Sequence, residues 1–288
     1  MITTLRPVLR AALRHGYAVG AFNVSNLEVT QAVLAAADAQ RSPVIIAVSE
    51  SGWNYGGPGL LAAIRTLAEA TPVPVVIHLD HGHDMDRIHL ALESGFSSVM
   101  IDASALSYER NSAETKKVVR MAHAKRISVE AEIGTIGGQE DTTSAAHIIY
   151  PTPAQVSAFV RATGVDAIAV GLGTSHGLPV PNEHIEYELL TQIRETVPVP
   201  IVLHGASNLA PATLRAAIRR GIAKINIDTE IRQTFTTALR TALQDNPDEF
   251  DLRAYAGSAR SAVMLHVQTI LRTFGSVNHA HDAGTRRW

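Results

Sequence analysis

The sequence predicts an α/β fold, a closed barrel of eight parallel strands with a C-terminal helical extension. Short apolar runs alternate with longer amphipathic segments about eight times, which is typical of repeated βα units on a parallel sheet. The 288 residues suit one closed barrel, and no linker or low-complexity segment interrupts them. No G-x-G-x-x-G motif opens a helix after the first strand, which argues against an open dinucleotide-binding sheet. We therefore expect a single (β/α)8 TIM-barrel domain over residues 1–288.

Runs of β-branched and apolar residues predict the strands, because such residues suit strands that are buried on both faces. These runs fall at residues 17–24, 43–48, 73–80, 97–102, 127–132, 166–171, 199–204 and 222–227. Ala-rich or amphipathic segments predict helices at residues 27–40, 60–70, 84–94, 108–125, 153–163, 183–196, 211–220 and 229–243, with one or two more in the tail. The Gly-rich residues 52–59 predict a turn, and residues 134–150 predict a polar loop too long for a plain connector.

The composition excludes several classes of protein. A net charge of -2 argues against a nucleic-acid or membrane-surface partner. The chain contains no Cys but 13 His, so any metal must be held by His, Asp or Glu. No apolar run reaches the roughly 18 residues of a membrane span, and the first residues lack the apolar core of a signal peptide. We therefore expect a cytoplasmic protein.

Polar residues stand at the predicted carboxyl end of nearly every strand. In a barrel these ends meet on one face, where active sites are built. Scattered structural polar residues would not all choose the same ends, so the pattern predicts a catalytic mouth. Its members are Asn23, Ser49, Asp80, His81, Asp102, Glu132, residues 171–176, His204, Gly205, Asn226 and Asp228.

Three histidines in this set share one pattern. His81, His176 and His204 each follow a strand and each precede a glycine. Three histidines with an open fourth position are the usual arrangement of a catalytic Zn²⁺ site. Any one of them alone would more often be a hydrogen-bonded structural residue, but their matching positions on three strands favour a metal site. We expect the neighbouring His78 and His83 to pack around the site or to support it.

Glycines and short hydroxyl side chains cluster after the last three strands. Residues 171–177, 205–207 and 226–229 form three such turns, in which backbone N–H groups can approach an anion. Barrels often bind phosphate after strands seven and eight, although tight βα turns would require the same glycines. The loop at 132–141 combines glycines with carboxylates, which is typical of a mobile loop that completes a site on closure.

Several motifs, in order along nearly the whole chain, resemble one known family. They are His78-Leu-Asp80-His81-Gly82, Met100-Ile-Asp102-Ala-Ser, Val129-Glu-Ala-Glu132-Ile-Gly-x-x-Gly-Gly-x-Glu140-Asp, Gly173-Thr-Ser-His176-Gly, Leu203-His204-Gly-Ala-Ser and Lys224-Ile-Asn226-Ile-Asp228-Thr. The sequence resembles the class II, zinc-dependent ketose-bisphosphate aldolases, which include the fructose-1,6-bisphosphate and tagatose-1,6-bisphosphate aldolases.

The resemblance implies a retro-aldol reaction in which zinc acts as a Lewis acid. It implies that His81, His176 and His204 hold the zinc, and that Asp80 exchanges the proton of the C4 hydroxyl group. Glu140, on the mobile loop, would exchange the proton at the carbanion carbon.

The resemblance also suggests further cations. Asp102 and Glu132 match residues that bind a second divalent metal in some members. They could instead orient the zinc histidines. A monovalent cation remains open as another cofactor.

The resemblance also implies where the substrate binds. The matching positions for dihydroxyacetone phosphate are Gly177, Gly205, Ala206, Ser207, Asn226, Ile227, Asp228 and Thr229, with Asn23 and Ser49 facing the substrate. Arg232 and Arg253 match arginines that bind the distal phosphate, one of them from a neighbouring subunit. We therefore expect a homodimer or homotetramer that binds a small-molecule sugar bisphosphate.

Two positions bear on the sugar. Asp228 resembles the fructose-type members, since tagatose-type members usually carry a small residue there. Many fructose-type members place a Lys shortly after His176-Gly177, and this chain has none between Gly177 and Val180. Fructose 1,6-bisphosphate is the favoured substrate, with tagatose 1,6-bisphosphate or another phosphorylated ketose or keto-acid as the alternative.

Three other functions compete with this interpretation. A Schiff-base aldolase needs a buried lysine at the mouth, and of the four lysines only Lys224 lies in a predicted strand, near its start. A two-metal phosphohydrolase could use His, Asp102 and Glu132. A non-catalytic barrel subunit would not need Asp80, Glu140 and all three histidines.

Overall fold

The protein folds into a closed barrel of parallel strands surrounded by helices, as seen in a computed structural model. The structure describes residues 1–140, 143–145, 147–177, 183–207 and 209–282, with the backbone alone at 139, 140 and 143–145. The strands are β1 (Val19–Asn23), β2 (Val44–Ser49), β3 (Val75–Gly82), β4 (Ser98–Ile101), β5 (Ser128–Ile133), β6 (Gly137–Glu140), β7 (Thr143–Ala145), β8 (Ala167–Val170), β9 (Ser175–His176), β10 (Ile201–Leu203) and β11 (Ile222–Ile227).

Ten helices connect or follow these strands in the described residues. They are α1 (Leu5–His15), α2 (Leu27–Ala39), α3 (Glu50–Ala70), α4 (Met85–Ser94), α5 (Tyr108–Ala124), α6 (Pro153–Thr163), α7 (Tyr187–Thr196), α8 (Pro211–Ile218), α9 (Thr229–Asp245) and α10 (Leu252–Phe274). No helix in the described ranges is long and apolar enough to cross a membrane.

Eight of the strands close the barrel in the order β1-β11-β10-β8-β5-β4-β3-β2. All eight neighbouring pairs are parallel. The predicted (β/α)8 barrel is therefore confirmed, and α10 supplies the predicted C-terminal helical extension. Because the strands are parallel and closed, all their carboxyl ends open onto one face, which becomes the mouth of the barrel.

The helix α1 closes the opposite end of the barrel and is absent from the sequence prediction, which contains no helix before residue 17. Its residues Leu5, Val8, Leu9 and Ala12 are fully buried, at the i, i+3, i+4, i+7 spacing of one helical face. They belong to an apolar cluster with inward-facing residues of the strands, including Ile45, Val76, Met100 and Val202. The amino-terminal end of the barrel is thus plugged by a hydrophobic helix face.

Residues 52–59 differ from the predicted Gly-rich turn. They are part of α3, which begins directly after Ser49, whose hydroxyl group accepts a hydrogen bond from the N–H of Gly52. The helix is interrupted at Gly57, where φ is 59° and Pro58 follows. Glycine permits this left-handed conformation, and proline at the start of the next helical turn needs no N–H bond. The predicted turn is therefore a kink inside a helix.

The described residues of 134–150 include two strands within the predicted long polar loop. Strands β6 and β7 pair in antiparallel fashion, and β6 pairs in parallel with the short strand β9. This places Gly138 opposite His176 in the register. The connection therefore forms a three-stranded sheet against the mouth of the barrel.

We predict that Leu9→Ala will lower the free energy of unfolding by about 2–5 kcal/mol, because Leu9 is fully buried in the plug. Chemical denaturation followed by circular dichroism measures the change. Leu243→Ala, at a leucine that is 41% exposed on α9, is the matched control and should change stability by about 0.5 kcal/mol or less. Equal losses in both variants would show that α1 does not seal the barrel.

Candidate active site

Three histidines from separate strand ends meet at the mouth. His81 is the second-last residue of β3, His176 lies in β9, and His204 follows β10. All three are buried, and one ligand nitrogen from each lies within 4.8 Å of the others. Their ring centroids are 4.7 to 5.8 Å apart. The structure therefore brings together the three histidines that the sequence singled out.

Hydrogen bonds orient two of these rings toward a common point. The Nδ1 atom of His81 lies 2.9 Å from Asp102 Oδ2, and the Nε2 atom of His204 lies 2.9 Å from Glu130 Oε1. The other ring nitrogen of each, His81 Nε2 and His204 Nδ1, is buried without a hydrogen-bond partner among the described residues. A carboxylate on one nitrogen and an unused lone pair on the other are typical of metal-binding histidines. The residues present therefore fit a zinc ion.

The pKa values in this cluster move in opposite directions. Burial alone would lower the pKa of His81, but Asp80 and the hydrogen bond that His81 donates to Asp102 raise it to about 10. Burial and the positive charge of His81 hold the pKa of His176 well below its usual range. Burial also lowers the pKa of His204. A metal at His81 must displace a proton, so metal affinity will fall as the pH falls.

A carboxylate that the sequence analysis did not single out links His204 to the barrel interior. Glu130 is fully buried, and its Oε2 atom accepts a hydrogen bond from Lys224 Nζ at 2.7 Å. Burial alone would raise the pKa of Glu130, but Lys224 and the contact with His204 lower it to about 2. Glu130 and Glu132 are two residues apart in β5, so their side chains face the same side of the strand. Two acids at this spacing in an apolar strand are the sequence signal that could have identified Glu130.

The same ion pair accounts for Lys224. This lysine is fully buried, pairs with Glu130 and lies 3.4 Å from His78 Nε2. His78 itself contacts Ser98 Oγ through Nδ1 at 2.9 Å, so it supports the site without joining the three histidines. Lys224 is engaged below the mouth, which argues against its use as a Schiff-base nucleophile.

Asp80 is held as a carboxylate beside the three histidines. Its Oδ2 atom accepts a hydrogen bond from Asn23 Nδ2 at 2.9 Å, and its Oδ1 atom accepts one from Asn226 Nδ2 at 3.1 Å. Burial alone would raise its pKa, but His81, His204, Lys224 and His78 together hold the pKa of Asp80 far below its usual range. Asp80 is therefore deprotonated, which is the form that a general base must have before it takes a proton.

His81 reaches its position through an unusual backbone. Its φ is 46°, in the left-handed region that non-glycine residues rarely adopt. The register between β3 and β4 shifts between Leu79 and Gly82, so the strand bulges at the histidine. Strand β3 therefore runs two residues past the predicted end at Asp80, and the bulge directs the His81 ring into the mouth.

Two glycines let neighbouring loops close around the segment that carries His176. A Cβ atom at Gly138 would lie 2.2 Å from the carbonyl oxygen of His176, and one at Gly205 would lie 2.7 Å from that of Ser175. Both glycines have positive φ, 83° and 62°. The close approach of the Ser175 backbone explains why residue 205 is a glycine. The predicted contact of Gly205 with a phosphate remains a prediction. Glu140 lies two residues past Gly138 in β6; its side chain is outside the described part of the structure.

A second group of possible ligands overlaps the first. His81, Asp102 and Glu132 offer ligand atoms within 4.8 Å of one another. Asp102 is already engaged by His81 and by the hydroxyl group of Ser104, at 2.7 Å from its Oδ1 atom. Glu132 Oε2 is buried without a described hydrogen-bond partner. Burial, followed by the negative charge of Asp102, raises the pKa of Glu132 well above its usual value.

A cavity of about 430 Å³ lies next to Asp80, whose hydrogen-bond partner Asn23 lines it. Asn23, Ser49, Asp228 and Arg232 line it, and Ser49 is the register neighbour of Asp80 across β2 and β3. The volume is within the range of small-molecule sites. The predicted substrate-facing residues of β1, β2 and α9 therefore share one pocket.

The predicted phosphate-binding residues are partly brought together. Gly177 has a φ of 90°, Gly205 and Ala206 are buried directly after His204, and Ser207 follows them. Asn226 and Ile227 end β11, and Thr229 begins α9. Asn208 and residues 178–182, which include the position near Val180 where a Lys was sought, lie outside the described residues.

The two predicted phosphate-binding arginines differ in their surroundings. Arg232 forms a two-point ion pair with Asp228, with Nε to Oδ1 at 2.8 Å and a terminal nitrogen to Oδ2 at 2.7 Å. Arg253 begins α10, is 90% exposed at its side chain and pairs with Asp251. Among the described residues no hydrogen bond or ion pair joins Arg253 to the other predicted site residues, so the structure leaves it apart from the mouth.

A parallel barrel with three buried histidines at the carboxyl ends of its strands has the architecture of a metal-dependent TIM-barrel enzyme. The sequence profile described as fructose-bisphosphate aldolase class-II matches residues 3–279. The chain belongs to this family.

Similar proteins agree with the family. The fructose-bisphosphate aldolase of Thermus caldophilus is 41% identical over 97% of this chain and all of its own length. A probable fructose-bisphosphate aldolase of Bacillus subtilis is 42% identical over 97% of this chain and 99% of its own. Among solved structures, the YdjI aldolase from Escherichia coli K12 aligns with a TM-score of 0.85 and 34% identity, covering 97% of this chain and all of that one.

We predict that Glu130→Gln will weaken zinc binding by about 10- to 100-fold, because His204 loses the carboxylate that orients it. Competition with a coloured zinc chelator measures the affinity. The substitution also leaves Lys224 buried without a partner, so Glu130→Gln/Lys224→Met is needed to remove that charge. If the double variant is stable and still binds zinc weakly, orientation is the cause. Full zinc affinity in the double variant would contradict the role of Glu130.

Proposed function

We propose that the protein catalyses the reversible aldol cleavage of a ketose 1,6-bisphosphate, with fructose 1,6-bisphosphate favoured. The products are dihydroxyacetone phosphate and glyceraldehyde 3-phosphate. The observation that carries the proposal is the convergence of His81, His176 and His204 beside the ionised Asp80 at one end of the barrel. Family membership and the names of the relatives support it.

The metal we propose is zinc. Three imidazoles without a thiolate, with room for a substrate ligand, are the usual donor set of catalytic zinc. Once bound, it supplies Lewis-acid stabilisation of the negative charge that develops as the C3–C4 bond breaks. His81 and His204 hold their donor nitrogens toward it through Asp102 and Glu130.

Asp80 is proposed to take the proton of the C4 hydroxyl group during cleavage. As that proton leaves, the C4–O bond becomes a carbonyl, the C3–C4 bond breaks and its electron pair stays on C3. The amides of Asn23 and Asn226 hold the carboxylate in place, so no reorganisation is needed before proton transfer. The low pKa of Asp80 keeps it in the form that accepts a proton.

Glu140 is proposed to deliver a proton to C3 and to remove it in the condensation direction. Support comes from the backbone, because β6 pairs with β9 and so runs beside His176. The hairpin of β6 and β7 would bring this acid over the mouth.

The two phosphates are proposed to bind to separate groups of residues at the mouth. The loops of Gly177, 205–207 and 226–229 would hold the phosphate of the dihydroxyacetone half, with the amino terminus of α9 facing it. Arg232 would bind the distal phosphate, and an Arg253 would reach it from a neighbouring subunit. This arrangement requires a homodimer or homotetramer.

The remaining assignments are also proposals. Asp102 is proposed to orient His81, and a second divalent ion between Asp102 and Glu132 is the alternative. A monovalent cation, a single domain over residues 1–288 and a cytoplasmic location remain predictions.

A different phosphorylated ketose, such as tagatose 1,6-bisphosphate, is the alternative substrate. It is favoured by the absence of a Lys between Gly177 and Val180. The alternative differs only in the configuration or length of the sugar and uses the same chemistry.

A coupled assay tests the function. Release of triose phosphate is measured from fructose, tagatose and sorbose 1,6-bisphosphates, before and after dialysis against EDTA. We expect fructose 1,6-bisphosphate to be cleaved with the highest kcat/KM, EDTA to abolish cleavage and added zinc to restore it. Release of inorganic phosphate instead would indicate a phosphohydrolase. Cleavage that survives EDTA and yields a borohydride-trapped adduct would indicate Schiff-base chemistry.

We predict that Asp80→Asn will lower kcat for cleavage by about 10²- to 10⁴-fold, the usual contribution of a general base, while zinc remains bound. The same variant should still exchange the C3 proton of dihydroxyacetone phosphate with deuterium, because that step is assigned to Glu140.

Glu140→Ala is the matched comparison for Asp80→Asn. It should lose proton exchange at C3 and keep its zinc. If Asp80→Asn loses exchange and Glu140→Ala retains it, the two roles are reversed.

A further inference from the structure

One cavity of the molecule lies far from the mouth. It has a volume of about 860 Å³ and is lined by Arg6, Arg10 and Arg14 of α1 and by Arg126 after α5. Ser128, at the start of β5, also lines it, whereas Glu132 near the end of that strand belongs to the mouth. Four residues of strand separate the two by roughly 13 Å. The cavity is therefore at the amino-terminal end of the barrel.

The three arginines of α1 share one side of that helix. They are spaced at i, i+4 and i+8, which places them on one face. The opposite face carries Leu5, Leu9 and Ala12, which plug the barrel. Because that apolar face is anchored, the backbone that carries the arginines is held in place. Arg126 approaches from α5 with φ at 60°, a conformation that turns the chain sharply after the helix.

Carboxylates in the lining are already engaged by other groups. Asp166 Oδ2 accepts a hydrogen bond from the N–H of Val129 and lies 2.9 Å from His123 Nε2. Its other oxygen lies 3.6 Å from Arg6. Asp282 lies 2.6 Å from His279 Nδ1. Their two negative charges therefore offset only part of the four positive charges of Arg6, Arg10, Arg14 and Arg126 in the lining.

Arg10, Arg14 and Arg126 have no hydrogen bond or ion pair from their side chains within the described ranges, although they surround one cavity. Like charges gathered around a concave surface raise its potential and attract anions. Guanidinium groups bind phosphate through two parallel hydrogen bonds. Pro7 and Ile127 add an apolar floor, as in most small-molecule sites.

We propose that this cavity is a second anion-binding site, for a small molecule that carries more than one phosphate group. The ligand bridges the arginines of α1 and Arg126. The site is separate from the aldolase mouth and does not depend on the proposed reaction.

Arginine labelling tests the proposal on the whole protein. Hydroxyphenylglyoxal modifies exposed arginines, and mass spectrometry gives the rate for each one. The probes are inorganic phosphate and 2,3-bisphosphoglycerate, which carries two phosphates. We expect 2,3-bisphosphoglycerate to slow labelling of Arg10, Arg14 and Arg126 together, with one half-maximal concentration about tenfold below that for inorganic phosphate. The residue-by-residue readout separates this site from any binding near Arg232.

The variant Arg10→Gln/Arg14→Gln should weaken the protection of Arg126 by about tenfold or more, the equivalent of at least one charge-assisted hydrogen bond. Arg161→Gln/Arg240→Gln removes two exposed helical arginines elsewhere and should leave the protection unchanged. Three outcomes would overturn the proposal. They are labelling that neither probe slows, protection that the Arg10→Gln/Arg14→Gln variant retains, and protection in the unmodified protein that disappears when its subunits are separated, which would make this face a subunit interface.

Discussion

The carboxylate of Glu130 holds together two parts of the molecule that are distant in the sequence. One oxygen binds Lys224 of β11 and the other binds His204 after β10. A carboxylate buried alone in an apolar interior would cost several kcal/mol, so both partners must be present when the barrel closes. The position of His204, a proposed zinc ligand, is thereby coupled to the closure of the barrel. An error in the packing of β5 against its neighbours would displace His204 from the proposed site.

The barrel interior is divided into layers of different polarity. The lowest layer is apolar and consists of the α1 plug and inward-facing residues such as Val76 and Val202. The next contains the ion pair of Glu130 and Lys224 and the neighbouring His78. The uppermost layer holds the three histidines and Asp80. His81 and His204 contribute most to keeping Asp80 ionised, and Lys224 adds to their effect from the layer below.

The sequence predicted those parts of the structure that correspond to a local pattern of residues along the chain. Alternating apolar runs predicted every barrel strand, and the histidine-glycine pairs after three strands predicted the cluster of His81, His176 and His204. Glu130 was missed because its partners lie 74 and 94 residues away in the chain, and no local spacing records such contacts. Residues 52–59 were assigned to a turn because glycines dominate them, whereas packing and the cap at Ser49 override that preference. The roles of Asp80 and Glu140 came from the family resemblance.

The plug formed by α1 has a consequence for how the chain folds during synthesis. The helix is complete after residue 15, but Ala223 of β11 belongs to the same cluster that covers it. About 200 residues must be added in between, which takes roughly 10–40 seconds at ordinary translation rates. During that interval the apolar face of α1 lacks part of the surface against which it packs in the folded protein. The apolar face of α1 can therefore be fully buried only after the last strands have been made.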